Sequence, residues 1–215
     1  MRFLLLVFFC VTFQLSFAEA GKPGDVAAKT SDYERGVAAY DDDEYELAYK
    51  LLRPFADKGD TDAQMMVAFM LSDGHGTEKN KTEARQFNKL AAEKGNRYAQ
   101  NNFGTMLRDA EGGPQNQEAA FGWFLKAAEA GVSEAMISTG RALQDGRGAT
   151  KNLKDAMKWF ERAADAGNAK GAYNLGYNFR YGEGVEKNNA LAKKWFTIGS
   201  QLGSEDSKTE LNKMR

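Results

Sequence analysis

The residues of this chain that could do chemistry are few, and each stands in a recognisable setting. His75 is the only histidine and lies in Asp73-Gly74-His75-Gly76, where an imidazole could act as a general base. Asp41-Asp42-Asp43-Glu44 places four carboxylates in succession, a composition that suits calcium. Gly-x-Gly occurs at Gly74–Gly76, Gly146–Gly148 and Gly182–Gly184, a spacing that cradles phosphate when a strand precedes it. Ser204-Glu205-Asp206-Ser207-Lys208 sets a hydroxyl near an amine, the pairing used by penicillin-reactive serines.

None of these settings completes its chemistry. One histidine offers no zinc pair and no second candidate for a Ser-His-Asp arrangement. The acidic run lacks the central Gly and terminal Glu of a calcium loop, so it reads as a turn followed by a dipole-favoured helix start. No strand precedes the Gly-x-Gly segments and no Lys-Ser/Thr follows them, so they read as helix ends with positive φ. Ser204 stands four positions before Lys208, where the reactive motif needs three. Other carboxylates scatter over outward helix faces without an isolated acid and base couple. The expectation is therefore no catalytic residue, no metal and no cofactor.

What positions these residues is a repeat. Gly59, Gly95, Gly131, Gly167 and Gly203 stand 36 positions apart, and the four segments between them, spanning 60–203, align without a gap. Each unit reads as a first helix, a glycine-rich loop and a second helix ending on the ladder glycine. In the first helix Ala63, Ala99, Ala135 and Gly171 share a column, as do Ala68, Gly104, Gly140 and Gly176, where small residues let a neighbouring helix approach. Leu71, Leu107, Leu143 and Phe179 complete that face at amphipathic spacing. In the second helix Ala84, Ala120, Ala156 and Ala192 are followed three positions later by Phe87, Trp123, Trp159 and Trp195. Repetition makes these aromatics core knobs rather than ligand platforms. His75 shares its column with Glu111, Arg147 and Glu183, which reads as a solvent position.

The string Asn174-Leu175-Gly176, Gly182-Glu183-Gly184-Val185, Ala192 and Trp195-Phe196 resembles the Sel-one-like repeat, a relative of the tetratricopeptide repeat. Four consecutive units carry it, over about two thirds of the chain, with Ala68, Ala110 and Gly199-Ser200 as local departures. The resemblance implies an all-α, right-handed α-solenoid, here of about eleven helices. Residues 31–59 read as a shortened first repeat, with Ala48 and Leu51 in register with Ala84 and Phe87, a capping box at Ser31 and Glu34, and Pro54 kinking its second helix. Residues 204–215 read as a polar-faced capping helix with Leu211 turned inward.

Ahead of the repeats, Met1-Arg2, an apolar run from Phe3 to Phe17 and Ala18-Glu19-Ala20 predict a cleaved signal peptide over residues 1–20, cut near Ala18 or Ala20. The run is shorter than the roughly 20 residues of a membrane span. Phe9 before Cys10 disfavours lipoprotein processing, and the mature chain then contains no cysteine. Residues 21–30 read as a flexible leader. A net charge of −1, evenly mixed, gives no footprint for nucleic acid or anionic lipid. The expected location is periplasmic or secreted, with no membrane insertion after cleavage.

Once core columns are removed, the remaining first-helix positions face the concave side, the surface such arrays use for partners. The candidate partner-binding residues are Phe69, Arg108, Arg141, Tyr173, Tyr177, Arg180 and Tyr181, with the three tyrosines stepping by four beside Arg180. Met65, Ile137 and Tyr173 share a column that also suits packing between repeats. The expected function is an exported, non-enzymatic module binding a protein or peptide of the cell envelope. The resemblance implies adaptors, regulators or immunity proteins. The alternative is an envelope enzyme of the penicillin-binding or β-lactamase-like type described for cysteine-rich relatives, which staple each repeat with a disulfide.

Overall fold

The computed structural model describes residues 23–214. The predicted signal peptide and Cys10 lie outside the described residues. Among the described residues the chain forms eleven α-helices and no strand: α1 Pro23–Asp41, α2 Tyr45–Asp57, α3 Thr61–Asp73, α4 Lys81–Glu93, α5 Arg97–Arg108, α6 Gln117–Glu129, α7 Ser133–Asp145, α8 Leu153–Asp165, α9 Ala169–Tyr181, α10 Asn189–Gln201 and α11 Glu205–Asn212. Helices pair in order within units, each second helix also packs on the next first helix, and α11 closes the array against α10 and α9. No described helix is long and apolar enough to cross a membrane. The stretch 21–30, expected as a flexible leader, is helical from Pro23, so Ser31 lies inside α1 rather than at its cap. Proline suits a first helical position, and Ala27, Ala28 and Lys29 are good helix formers.

Within each unit one contact sets how the two helices meet. A Cβ built on Gly104, Gly140 or Gly176 would fall 2.8, 2.5 and 2.6 Å from the rings of Phe124, Phe160 and Phe196. These phenylalanines are buried to 2% exposure or less. The deep knob is therefore the residue after the expected tryptophan. Trp123, Trp159 and Trp195 are partly buried on the flank of the core, with Lys126, Arg162 and Lys194 at 4.2, 4.3 and 5.5 Å from their rings. An indole N–H needs a polar neighbour where a phenyl ring needs none, so the phenylalanine takes the dry position. The same shift applies in the short unit, where fully buried Leu52, not Leu51, meets Gly36 at 2.9 Å from a built Cβ. Gly36 and Leu52 are 16 positions apart, against 20 for Gly140 and Phe160, so the short unit has lost four loop residues. Where the first full unit has Ala68 in place of glycine, it has Asn88 in place of the phenylalanine.

Between units the loops carry the geometry. Each ladder glycine adopts positive φ, between +81° and +92°, and the next residue's N–H reaches back five positions, as Asn168 N to Ala163 O at 2.9 Å. The first glycine of Gly-x-Gly ends the first helix in a left-handed conformation; Ala110 takes that role in the second unit at φ +60°. The second glycine has a different duty. A Cβ on Gly76, Gly112 or Gly148 would lie 2.2, 2.0 and 2.0 Å from backbone atoms of Tyr45, Lys81 and Gln117 at the start of the preceding unit's second helix. Those loops therefore dock backbone on backbone.

A second ladder, Asn80, Asn116, Asn152 and Asn188, also spaced 36 positions apart, stands at the start of each second helix of the full units. Each caps its second helix by accepting from the N–H three residues on, while its own N–H donates to the carbonyl of Leu71, Leu107, Leu143 or Phe179 at 2.8–2.9 Å. At the C-terminal end, Gly199 faces fully buried Ser207, so the missing Ala-Ala pair is filled by the cap rather than loosened.

Gly140→Ala is expected to destabilise the chain by about 1–3 kcal/mol through overpacking, despite the better helix propensity of Ala. Adding Phe160→Leu should cost less in the Gly140→Ala background than alone, because the smaller side chain makes room. Urea unfolding of the two single variants and the double variant measures that coupling, and additive losses would contradict it.

Candidate functional site

Helices α5, α6, α7 and α9 together line a concave groove of about 610 Å³. Its apolar floor includes Phe124 and Ile137, at 2% and 5% exposure, so Ile137 packs between repeats as its column allowed. Arg108, Arg141, Tyr173 and Tyr177 all reach it, bringing four of the seven candidates together. Tyr181 stands beside them, 52% exposed, its ring centroid 4.5 Å from that of Tyr177, while Tyr173 and Tyr177 are 6.2 Å apart. The three tyrosines thus form one ladder along α9.

Arg180 and Phe69 go elsewhere. The guanidinium of Arg180 turns to the cap helix, 3.6 Å from Glu210 Oε2 and donating to the Glu210 carbonyl at 3.4 Å. Glu210 is 8% exposed and also pairs with Lys213 at 2.7 Å. Arg180 therefore braces the end of the solenoid, since an arginine facing a buried carboxylate is held by it. Phe69 joins Tyr40, Tyr45 and His75 in an aromatic cluster between the short unit and the first full one, at centroid distances of 5.8, 6.2 and 5.4 Å. His75, expected at a solvent position, is partly buried and stacks on Tyr45 at 4.7 Å and 22°. The short unit's Tyr45 presents it with a ring that the later units lack at that place.

Charge in the groove is mostly spoken for. Arg108 grips Asp109 through two hydrogen bonds of 2.8 and 2.7 Å, which raises the arginine and lowers the aspartate from their ordinary values. Arg147 pairs with Asp145 at 3.0 Å, and Gln144 donates to Glu183 at 2.9 Å. Arg141 is exposed and has neither an ion pair nor a hydrogen bond among the described residues. Ser204, the hydroxyl of the Ser…Lys segment, accepts from the Ser207 N–H as the cap of α11. Among the described residues no group of three His, Cys, Asp or Glu could hold a metal ion.

Lining residues outside the first-helix columns expected to face the groove include Gln117 and Phe121, on the second helix α6, and Asn174 and Asn178, on the first helix α9 but at other columns. Phe121 had a visible signal: its column otherwise holds Tyr49, Arg85, Met157 and Lys193, so a phenylalanine there is not a repeat requirement. Asn178 is buried and donates to Met157 Sδ at 3.1 Å.

Burial first, then the carboxylates of Asp206 and Glu210, push the Tyr173 phenol above its ordinary value of 10.0. A raised value means the folded state holds the proton more tightly than the unfolded chain. The resulting stability is complete below the ordinary value and is lost as pH climbs through the raised one. Tyr173→Phe should therefore lose less stability than the wild type between about pH 9 and about pH 11, measured by urea unfolding at both.

The Sel1 repeat model matches residues 32–60, 61–96, 97–132, 133–168 and 169–204, so the short unit counts as a fifth repeat. A Sel1 repeat protein from Oxalobacter formigenes is 30% identical with a TM-score of 0.76, over 83% of this chain and 74% of that one. The c5321 protective antigen of uropathogenic Escherichia coli, which displays an SLR fold, is 24% identical with a TM-score of 0.79, over 87% of this chain and 41% of that one. The immunity protein Pa5087 of Pseudomonas aeruginosa shares the fold at 16% identity and a TM-score of 0.54, over 84% of this chain and 68% of that one. A search of the curated proteins finds no match. With five matched repeats covering residues 32–204, the chain belongs to the Sel1 repeat family.

Proposed function

We propose that this chain is an exported, non-enzymatic binding protein that holds a protein or peptide partner of the cell envelope in the groove of α5, α6, α7 and α9. Sel1 repeats mediate protein–protein interactions, and the family is generally a non-enzymatic scaffold. The observation that carries the reading is the groove itself: about 610 Å³, open to solvent, with Tyr173, Tyr177, Phe121 and Arg141 converging from three helices. Tyrosine and arginine over an apolar floor is the composition of interface hot spots. Export rests on the leader over residues 1–20.

Adaptor, regulator and immunity roles would all act through this one surface, by occupying or presenting a partner. The fold shared with Pa5087 is compatible with the last of these. Against an envelope enzyme, the groove's single lining carboxylate, Asp145, is already paired with Arg147, and its one lining serine, Ser138, donates to the Glu134 carbonyl.

Affinity capture from envelope fractions tests the reading. Tyr177→Ala combined with Phe121→Ala should reduce partner recovery about tenfold or more, with the helical circular dichroism unchanged. Undiminished recovery would remove the groove from consideration. Arg180 is left intact in this experiment because its loss would disturb the cap. Intact mass of the chain purified from the periplasm should begin after Ala18 or Ala20; an unprocessed chain confined to the cytoplasm would refute export.

A further inference from the structure

Resting on the groove reading, we infer that the occupant is an extended acidic peptide, one carboxylate of which pairs with Arg141 while an adjoining apolar side chain lies against Tyr177 and Phe121. The groove is lined by three arginines and one carboxylate, on a chain whose net charge is −1, so the positive excess is local. Two of those arginines are matched within the protein, Arg108 by Asp109 and Arg147 by Asp145. Arg141 is matched by nothing among the described residues. Its column elsewhere holds Phe69, Thr105 and Tyr177, so the repeat does not require a cation there.

A second observation points to the same place. Asn174, another lining residue, keeps its Nδ2 buried without a partner, so a donor beside the groove is unmet. The floor at Phe124 and Ile137 is apolar, which strengthens the field of an unpaired charge toward an incoming anion. One free cation among the described residues lining the groove suits a single carboxylate on a peptide; a nucleic acid or an anionic bilayer would need several, since each neutralised phosphate takes its own cation.

Selection of a random 12-residue peptide display library on residues 21–215 tests the inference, followed by anisotropy titration of fluorescein-labelled copies of the enriched sequences. Enriched peptides should carry Asp or Glu beside a large apolar residue. Arg141→Glu should weaken their binding about tenfold or more, and the peptide with Lys in place of its acid should recover binding to that variant. Such charge-swapped recovery does not follow from a merely structural role. Peptides lacking an acid, an absence of binders, or binding indifferent to Arg141→Glu would overturn the inference. If binding falls with Tyr177→Ala yet ignores Arg141→Glu, the groove stands and only the carboxylate pairing fails. Indifference to both substitutions would overturn the groove reading as well. Circular dichroism of each variant confirms that the helices are intact.

Discussion

Three of the five units of this solenoid depend on a phenyl ring seated where the opposing helix has no side chain. Gly104, Gly140 and Gly176 leave room that Phe124, Phe160 and Phe196 fill, and any Cβ there would overlap the ring. Truncating such a ring typically costs about 3–5 kcal/mol, a large share of what holds a domain folded. The contact also sets distance. Two backbones can approach only as closely as the glycine allows, and repeated in three successive units it fixes how far those helix pairs advance. The other units respect the constraint by exchange of size: Gly36 meets Leu52, and Ala68 is matched by Asn88.

Between units the constraint passes through backbone rather than side chain. The second glycine of each loop lies against the first turn of the preceding second helix, too close for a Cβ at Gly76, Gly112 and Gly148. Asparagine caps at Asn80, Asn116, Asn152 and Asn188 tie the same loops to the carbonyls of the first helices. With core and loops thus occupied, the surface free to vary is the concave one. Two of its arginines are neutralised internally and a third faces solvent. That division suits a binding module, in which the scaffold is periodic and recognition is not.

Much of the fold was legible because repetition multiplies a weak signal. A single Gly-x-Gly or a single small residue in a helix says little, whereas the same column filled in every unit states a packing role. The lining of the groove was legible in part. Arg108, Arg141, Tyr173 and Tyr177 could be placed on the concave side by their columns, and all four line the groove. Arg180 occupies a column of the same kind, yet the carboxylate of Glu210 draws it to the cap helix. Phe69 lies in a concave column too, but Tyr40 and Tyr45 of the short unit gather it into a cluster. In both cases the deciding neighbour comes from an atypical terminal unit, which a column alignment cannot supply.

By itself the sequence determined the repeat length, the number of units, the helix order and the columns reserved for small residues, because these follow from periodicity along one chain. Tertiary structure alone decided which of two adjacent aromatics enters the core, since Trp159 and Phe160 differ by one residue and about 100° of helix rotation. It also decided which of the three groove arginines is left without a carboxylate. Pairing of that kind depends on where a side chain ends in space, and positions such as Arg180 and Glu210, thirty residues apart, meet only after the helices have stacked.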